Sequence, residues 1–347
     1  MPVRFRDGPS AIPCGSHHAR IGKPMKSIPF AVASALSSLL LAGLAPAQQL
    51  PDRDYQPAIA HPAFGAGDDD RPTLCLDEAH HNFHTLDNRF FAFGALARRD
   101  GYTVRASTAP FDAADTLAAC DLLVISNAQP SGDEWDAYPY PTPSAFTASE
   151  IQAVRDWVEQ GGQLLLIADH MPLAGAASAL AAAFDVEFQD GFAMTTKGAE
   201  NARAGRPGGE PPTLFRRADD TLAAHPITRG RAGLDEGVDQ VRSFTGQAFR
   251  APAHGTAILV LPADFSQLLP TVAWQFKPDT RLEAVGGWSQ GAVLEVGKGR
   301  AAFFGEAAMF SAQVAGPERR PMGMNGPGAE QNHQLVLNVL HWLSGLL

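Results

Sequence analysis

Residues 146–170 read FTASEIQAVRDWVEQGGQLLLIADH, and this stretch decides the fold. Thr147 and Glu150 stand at the spacing of a capping box, in which a hydroxyl and a carboxyl three residues on satisfy orphan backbone donors at a helix start. Ile151, Val154, Trp157 and Val158 then recur at helical spacing, which predicts a helix over 148–160 with one apolar face. Gly161-Gly162 stops it. The next residues, Gln163 to Ala168, are apolar at every position but the first, the pattern of a strand covered on both faces inside a parallel sheet. That strand ends in Asp169-His170.

The same grammar extends outward. Upstream, Thr73–Asp77 reads as a short apolar strand, Asp87–Arg99 as a helix, and Tyr102–Ala106 as a second strand after the Asp100-Gly101 turn, a βαβ opening. Asp121–Ser126 is another fully apolar strand. Downstream, a helix is expected over 173–184, then strands at 257–261, 282–286 and 292–296. Gly297-Lys298-Gly299 turns the last of these into Arg300–Phe304, an antiparallel hairpin. A final helix over 330–346 buries Leu335, Val339, Leu340, Trp342 and Leu343. The fold class is α/β: a mostly parallel sheet with helices on both faces, a C-terminal antiparallel hairpin and an irregular insertion at about 191–250. Residues 195–220 carry Gly, Pro, Arg and Glu without periodicity and predict a long surface excursion. An aromatic loop at 128–146 holds Trp135, Tyr138 and Tyr140, either as a contact surface or as a loop packed on the core. No internal repeat is present.

The N-terminal region has a different character. Met25-Lys26, the apolar run Ile28–Leu44 and Ala45-Pro46-Ala47 before Gln48 match the charged, apolar and small-residue parts of a removable signal. Residues 1–47 are therefore expected to be leader and signal peptide, with cleavage after Ala47. The 24 residues before Met25 are either an extended leader or follow a start that is not used. The expected location is periplasmic or secreted, with no stable membrane anchor after cleavage. Residues 48–70, rich in Pro, Asp, Gly and Ala and ending in Asp68-Asp69-Asp70, are expected to be a flexible lead-in, with the domain over 71–347. Losing residues 1–47 takes the net charge from −10 to −14, a surface that repels nucleic acid and anionic membranes. Cys75 and Cys120 could pair in an oxidising compartment, but both adjoin apolar runs, and buried free thiols are the expectation.

In an open parallel sheet ligands bind beyond the carboxyl ends of the strands. The first strand delivers Asp77, Glu78, His80, His81, Asn82 and His84 there. The strand at 163–168 delivers Asp169 and His170, and Arg300–Phe304 delivers Glu306. The last helix opens with Asn332-His333. Five of the nine histidines after residue 47 thus fall at one sheet edge. The other four, His61, His225, His254 and His341, are read as structural or solvent-exposed. Three uses remain open for the edge cluster. His80, His84 and His170 could bind a divalent metal such as Zn, since imidazole and carboxylate are its usual ligands. Asp169, His170 and Glu306 could perform acid–base catalysis or ligand binding without metal. Or the side chains could pin the loops as a structural network. Glu78, His81, Asn82, Asn332 and His333 are candidates for substrate binding or support. The Asp169-His170 turn, where many α/β folds place a nucleophile elbow, carries no Gly-x-Ser-x-Gly and no Cys, which disfavours a serine or cysteine nucleophile there. No His-Glu-x-x-His, Gly-x-Gly-x-x-Gly or phosphate-binding loop occurs, which disfavours a zinc-protease pattern and nucleotide cofactors.

The runs LCLDEAHHNFHTLDNRFFAFGALARRDGYTV (74–104), FTASEIQAVRDWVEQGGQLLLIADHMPLAGAA (146–177), GRAAFFGEAAMFSAQ (299–313) and NHQLVLNVLHWLSG (332–345) resemble an uncharacterised bacterial family of the class I glutamine amidotransferase-like superfamily. The resemblance implies a flavodoxin-like fold. Where amidotransferases carry the glutaminase cysteine, this chain has the Asp169-His170 turn, so glutamine hydrolysis is not expected. The expected function is an exported hydrolase using the His/Asp/Glu cluster on a small-molecule, glycan or peptide substrate. The alternative is a non-catalytic module on the same fold that binds an envelope glycan, peptide or protein.

Overall fold

The computed structural model describes residues 49–65, 71–206 and 213–347. The expected leader and signal peptide lie outside the described residues, as does Asp68-Asp69-Asp70. In chain order, β1 (Gln49–Pro51) and β2 (Thr73–Asp77) precede α1 (Phe91–Arg99), β3 (Thr103–Ser107) and β4 (Leu122–Ser126). Next come α2 (Ala148–Glu159), β5 (Gln163–Ile167), α3 (Leu173–Ala182), β6 (Glu187–Phe188) and β7 (Phe192–Thr195). The middle of the chain forms α4 (Thr196–Arg203), β8 (Thr213–Arg216), α5 (Pro226–Arg229), β9 (Gln240–Ser243) and β10 (Phe249–Arg250). It is followed by β11 (Thr256–Val260), β12 (Phe265–Leu269), β13 (Arg281–Ala284), β14 (Ser289–Val296) and β15 (Gly299–Phe304). The end of the chain holds β16 (Ala312–Ala315), β17 (Arg320–Gly323) and α6 (Asn332–Leu343). No helix among the described residues is long and apolar enough to cross a membrane.

The main sheet runs β3-β2-β4-β5-β15-β14-β10-β6, with β11 also paired to β14. The first five strands are parallel, and every pairing beyond β15 is antiparallel. The sheet is therefore mixed rather than mostly parallel. The strands that change its character include β6 and β10, two residues each, too short to show a period in the sequence.

Helices cover both faces of the parallel part. Alternation along the strands sends Leu74, Leu76, Val124, Leu165, Ile167 and Phe304 to one face, under Phe93 and Leu96 of α1 and Leu335 and Val339 of α6. Leu123, Ile125, Leu164, Leu166 and Phe303 go to the other, under Val154 and Val158 of α2 and Leu180 of α3. The capping box of α2 is present: Thr147 accepts from the Glu150 amide, and Glu150 accepts from the Thr147 amide.

Three expectations change. Residues 49–65 are not a loose lead-in. β1 pairs with β16, Arg53 donates to the Asp87 carbonyl at 2.7 Å, and the Ala63 amide donates to Asp100 at 2.9 Å. Composition suggested flexibility because this segment has no apolar period of its own and borrows its partners from residues far along the chain. The excursion at 195–220 also carries structure among its described residues, since β7 joins β12 and β13 in a three-stranded sheet and β8 pairs with β9. Finally, Cys75 and Cys120 form a disulfide, with Cα atoms 5.8 Å apart. The apolar runs beside them are β2 and β4, which are adjacent strands. The feature read as burying two separate thiols is what brings them together.

Candidate active site

The site begins with strand register. β5 and β15 are parallel neighbours, with Ile167 opposite Phe304. Two residues beyond each partner stand Asp169 and Glu306, so the register delivers two carboxyl groups side by side at the carboxyl edge, on strands spaced about 4.8 Å apart. Glu306 is fully buried. Its two oxygens accept from the Ala308 amide at 2.7 Å and the Met309 amide at 2.9 Å. Burial, and then the charge of Asp169, hold its carboxyl well above the usual carboxylate range, against the pull of hydrogen bonds from the Met309, Ala308 and Phe244 amides. Gly246, at φ 131°, passes so close that a Cβ there would meet the Gly305 carbonyl and Glu306 itself.

Asp169 and His170 are set by the turn after β5. The Asp169 amide donates to Asn127 Oδ1 at 2.9 Å, and Asp169 Oδ1 accepts from the His170 amide at 2.9 Å. Asn127 sits at φ 49°, a conformation its short polar side chain tolerates, and its carbonyl accepts the Phe83 amide at 2.9 Å. One residue therefore ties the ends of β4 and β5 to the loop after β2. His170 Nδ1 lies 2.8 Å from the Met171 carbonyl. A carbonyl only accepts, so Nδ1 carries the proton and Nε2 keeps a lone pair in the neutral ring. His84 Nδ1 shares a hydrogen bond with Ser126 Oγ at 2.8 Å, and its ring stacks on Phe90 at 4.5 Å. Burial, and then the positive Arg89, hold His84 well below the usual imidazole range, so it is neutral.

His84, Asn127, Asp169, His170 and Glu306 line one cavity of about 120 Å³. Its walls are aromatic. Trp274 meets His170 edge-on at 4.6 Å, Trp135 lies 5.3 Å from the same ring, and the two indoles are nearly parallel at 6.5 Å. Trp274 adopts φ 63° and is 48 % exposed. A bulky side chain in the left-handed region costs of the order of 1–3 kcal/mol and persists where a site holds it. The remaining wall comes from the small sheet β1-β16-β17. Gln49, Gln313 and Met322 occupy one face of it by register and alternation, and all three border the cavity. Larger hollows of about 590 and 520 Å³ are open depressions elsewhere, the first at the amino ends of the strands around Trp157, Lys298 and Arg300, the second around Tyr55 and His333.

The rest of the predicted cluster lies outside this cavity. Both ring nitrogens of His80 are engaged, Nδ1 with Asp77 at 2.9 Å and Nε2 with Glu150 at 2.8 Å. His80 joins the β2 loop to the start of α2 and does not converge with His84 and His170. Among the described residues no three His, Cys, Asp or Glu side chains are grouped so as to share a metal ion. Asn82 folds the loop back on Asp77 at 2.9 Å, and Glu78 accepts the Leu86 amide at 2.7 Å. His81, at φ 47°, is exposed and lends its carbonyl to Gln129. Asn332 brackets Arg242, accepting its amide at 2.9 Å and donating to its carbonyl at 2.8 Å. His333 borders the separate hollow beside Tyr55, and burial lowers its basicity. Of the aromatic loop, Trp135 reaches the cavity, Tyr138 is buried with its hydroxyl on the Ser131 carbonyl at 2.6 Å, and Tyr140 is 53 % exposed. The four histidines set aside are as expected: His341 pairs with buried Asp100 at 2.7 Å, His225 caps α5, and His61 and His254 are exposed.

This architecture has counterparts among solved structures. The N-terminal domain of mmIFT52 superposes with a TM-score of 0.52 at 12 % identity, covering 78 % of this chain and 97 % of that one. A cytoplasmic protein of Salmonella typhimurium, STM3548, matches with a TM-score of 0.44 at 14 % identity, over 78 % of this chain and 98 % of its own. A ThuA-like protein from Parabacteroides merdae matches with a TM-score of 0.39 at 11 % identity, over 79 % and 90 %. ThuA-like proteins are thus among the structural neighbours, at low identity. No family model and no curated protein matches the chain.

Sequence reading did not single out Asn127, Trp274, Phe244, Gln49 or Gln313 as site residues. Asn127 carried a usable signal, an Asn directly after a buried strand. Gln313 and Gln49 carried none, because a glutamine in a short strand looks like any exposed polar residue until the sheet is closed.

Proposed function

We propose that this chain is a hydrolase in which Asp169 and Glu306 form an acid–base carboxyl pair. The observation that carries this is the pairing itself. Two carboxyl groups leave adjacent strands at the same register, one of them buried so that it keeps its proton, over a cavity walled by tryptophans. Glu306 donates its proton to the leaving group as the scissile bond breaks. Asp169 takes a proton from the attacking water, whose second proton is held by His170 Nε2. Water is added across the bond, and the proton moves from Asp169 back to Glu306 through solvent. The reading does not require a metal. It also places the protein outside the cytoplasm. The Cys75–Cys120 disulfide supports that location, because such bonds persist in oxidising compartments. We read the chain as a member of the uncharacterised class I glutamine amidotransferase-like family that it resembles, with no glutaminase activity.

A screen of ester, amide, phosphoester and glycoside substrates tests the proposal. Turnover of one class should fall at least about 100-fold in Glu306→Gln and Asp169→Asn, the range for loss of a general acid or base. Full activity in either variant, or no turnover of any class, would overturn it. A second reading is favoured by the exposed rings of Trp274 and Tyr140, and it makes the site a binding surface for an envelope glycan, peptide or protein. In that case a ligand binds without turnover, and Trp274→Ala abolishes binding while Glu306→Gln does not.

A further inference from the structure

Gln313 is 1 % exposed, sits in the central strand of the small sheet and borders the cavity. Its amide orientation is fixed by a chain of donors. The Ser311 hydroxyl donates to the Ala308 carbonyl at 3.0 Å, so its oxygen is free to accept, and Gln313 Nε2 donates to it at 2.7 Å. A flipped amide would set oxygen against an oxygen whose proton is already committed. Oε1 is therefore the atom turned away from Ser311, and it is buried with no hydrogen-bond partner among the described residues. The backbone is anchored as well, since the Gln313 carbonyl accepts from Asn325 Nδ2 at 2.9 Å. A buried amide oxygen with a rigid mount and no protein donor is a recognition atom, because such a group discriminates strongly between ligands that supply a donor and ligands that do not.

The cavity also says which donor. Asp169 carboxylate oxygens and His170 Nε2 from the turn after β5, and Gln313 Oε1 from β16, all accept, while the Glu306 carboxyl is the group that donates. A ligand matching this set presents several hydroxyl groups. The nearly parallel faces of Trp135 and Trp274 present flat apolar surface to the C–H faces of a sugar ring, whose hydroxyls then reach these acceptors. We propose that Gln313 is a specificity-determining residue whose Oε1 accepts a hydrogen bond from one hydroxyl of a saccharide-like substrate. This rests on the hydrolase reading of the same cavity.

The test is a titration of tryptophan fluorescence in the purified protein with D-glucose, D-galactose and D-mannose, and then with the monodeoxy forms of the best binder. Wild type should bind one parent sugar and weaken at least about tenfold for one deoxy position. Gln313→Leu should weaken about tenfold for the parent and no longer distinguish that deoxy sugar. Ser311→Ala, which frees the amide without removing it, should lose part of the discrimination and serves where Gln313→Leu does not fold. Wild-type affinities and wild-type discrimination in a folded Gln313→Leu would overturn the inference. So would the absence of a response to any of the three sugars, or a response to choline in their place. The two readings fail separately: glycoside turnover lost in Glu306→Gln but unchanged in KM in Gln313→Leu removes only the role of Gln313. Sugar binding by wild type with no turnover of any substrate class removes only the hydrolase.

Discussion

Replacing His80 with alanine should destabilise the fold strongly at mildly acidic pH and much less at alkaline pH. The ring is 7 % exposed and lies between Asp77, which is fully buried, and Glu150. Burial alone would lower the His80 pKa, but the hydrogen bonds and charges of Asp77 and then Glu150 outweigh it and raise the value above 6.5. For a base with a raised value, the stabilisation is fully present below the unfolded value and lost as pH rises through the folded one. Glu150 moves the other way. Burial pushes it up, but hydrogen bonds from Thr147 and His80 bring it below 4.5, so its contribution is present above that value and lost as pH falls through the folded one. Both contributions are complete between pH 4.5 and 6.5. Removing the imidazolium there leaves two buried carboxylates without a cation, which costs about 3–5 kcal/mol. At an unfolding entropy of about 2.1 cal/mol/K per residue, that lowers Tm by roughly 5–8 °C in a domain of this size. Circular-dichroism melts of wild type and His80→Ala at pH 5.5 and 8.5 measure the gap. A gap under about 2 °C at pH 5.5, or one equally wide at both pH values, would refute the account of this network. Because His80 lies outside the cavity, turnover by the folded variant should remain close to wild type.

Three further outcomes follow from particular contacts. Reducing the Cys75–Cys120 bond, or replacing both cysteines with serine, reopens a loop of 45 residues, and the chain-entropy relation gives a loss of about 4 kcal/mol, read as a fall in the urea midpoint. Glu306 is an acid with a raised value, so the native state holds its proton longer than the unfolded chain and wild-type stability declines as pH rises from 4.5 through the folded value. Denaturation at a series of pH values should show that decline in wild type and a flatter profile in Glu306→Gln. Trp274→Gly releases a side chain held at φ 63°, so its Tm should stay within about 3 °C of wild type, since relieved strain offsets lost packing. Its KM should rise about tenfold, because the indole wall over His170 is gone, and an unchanged KM would argue against a substrate-facing role.

The histidine-rich edge shows how far sequence reading reaches. It placed His84, Asp169, His170 and Glu306 at strand ends, and the cavity contains all four. It could not separate His80 from His84. Both follow the same strand and both are buried, and their roles differ only because the start of α2 brings Glu150 to one and the end of β4 brings Ser126 to the other. Those partners are 70 and 42 residues away in the chain. The tryptophan pair was half legible, since Trp135 stood in a conspicuous loop while Trp274 lay in an unpatterned stretch.

What the sequence determines by itself is local and periodic. The capping box, the helical spacing of α2 and the doubly apolar strands follow from the residues alone, because backbone hydrogen bonding and burial of an apolar face act over a few residues. The antiparallel half of the sheet, the docking of β1 on β16, the disulfide and which histidines line the cavity were decided only in the tertiary structure. Each depends on which distant segment becomes a neighbour, and short two- to four-residue strands carry too little pattern to specify that. The same holds for Gln313, which became a recognition atom only when Ser311 took one end of its amide and the cavity left the other buried without a protein donor.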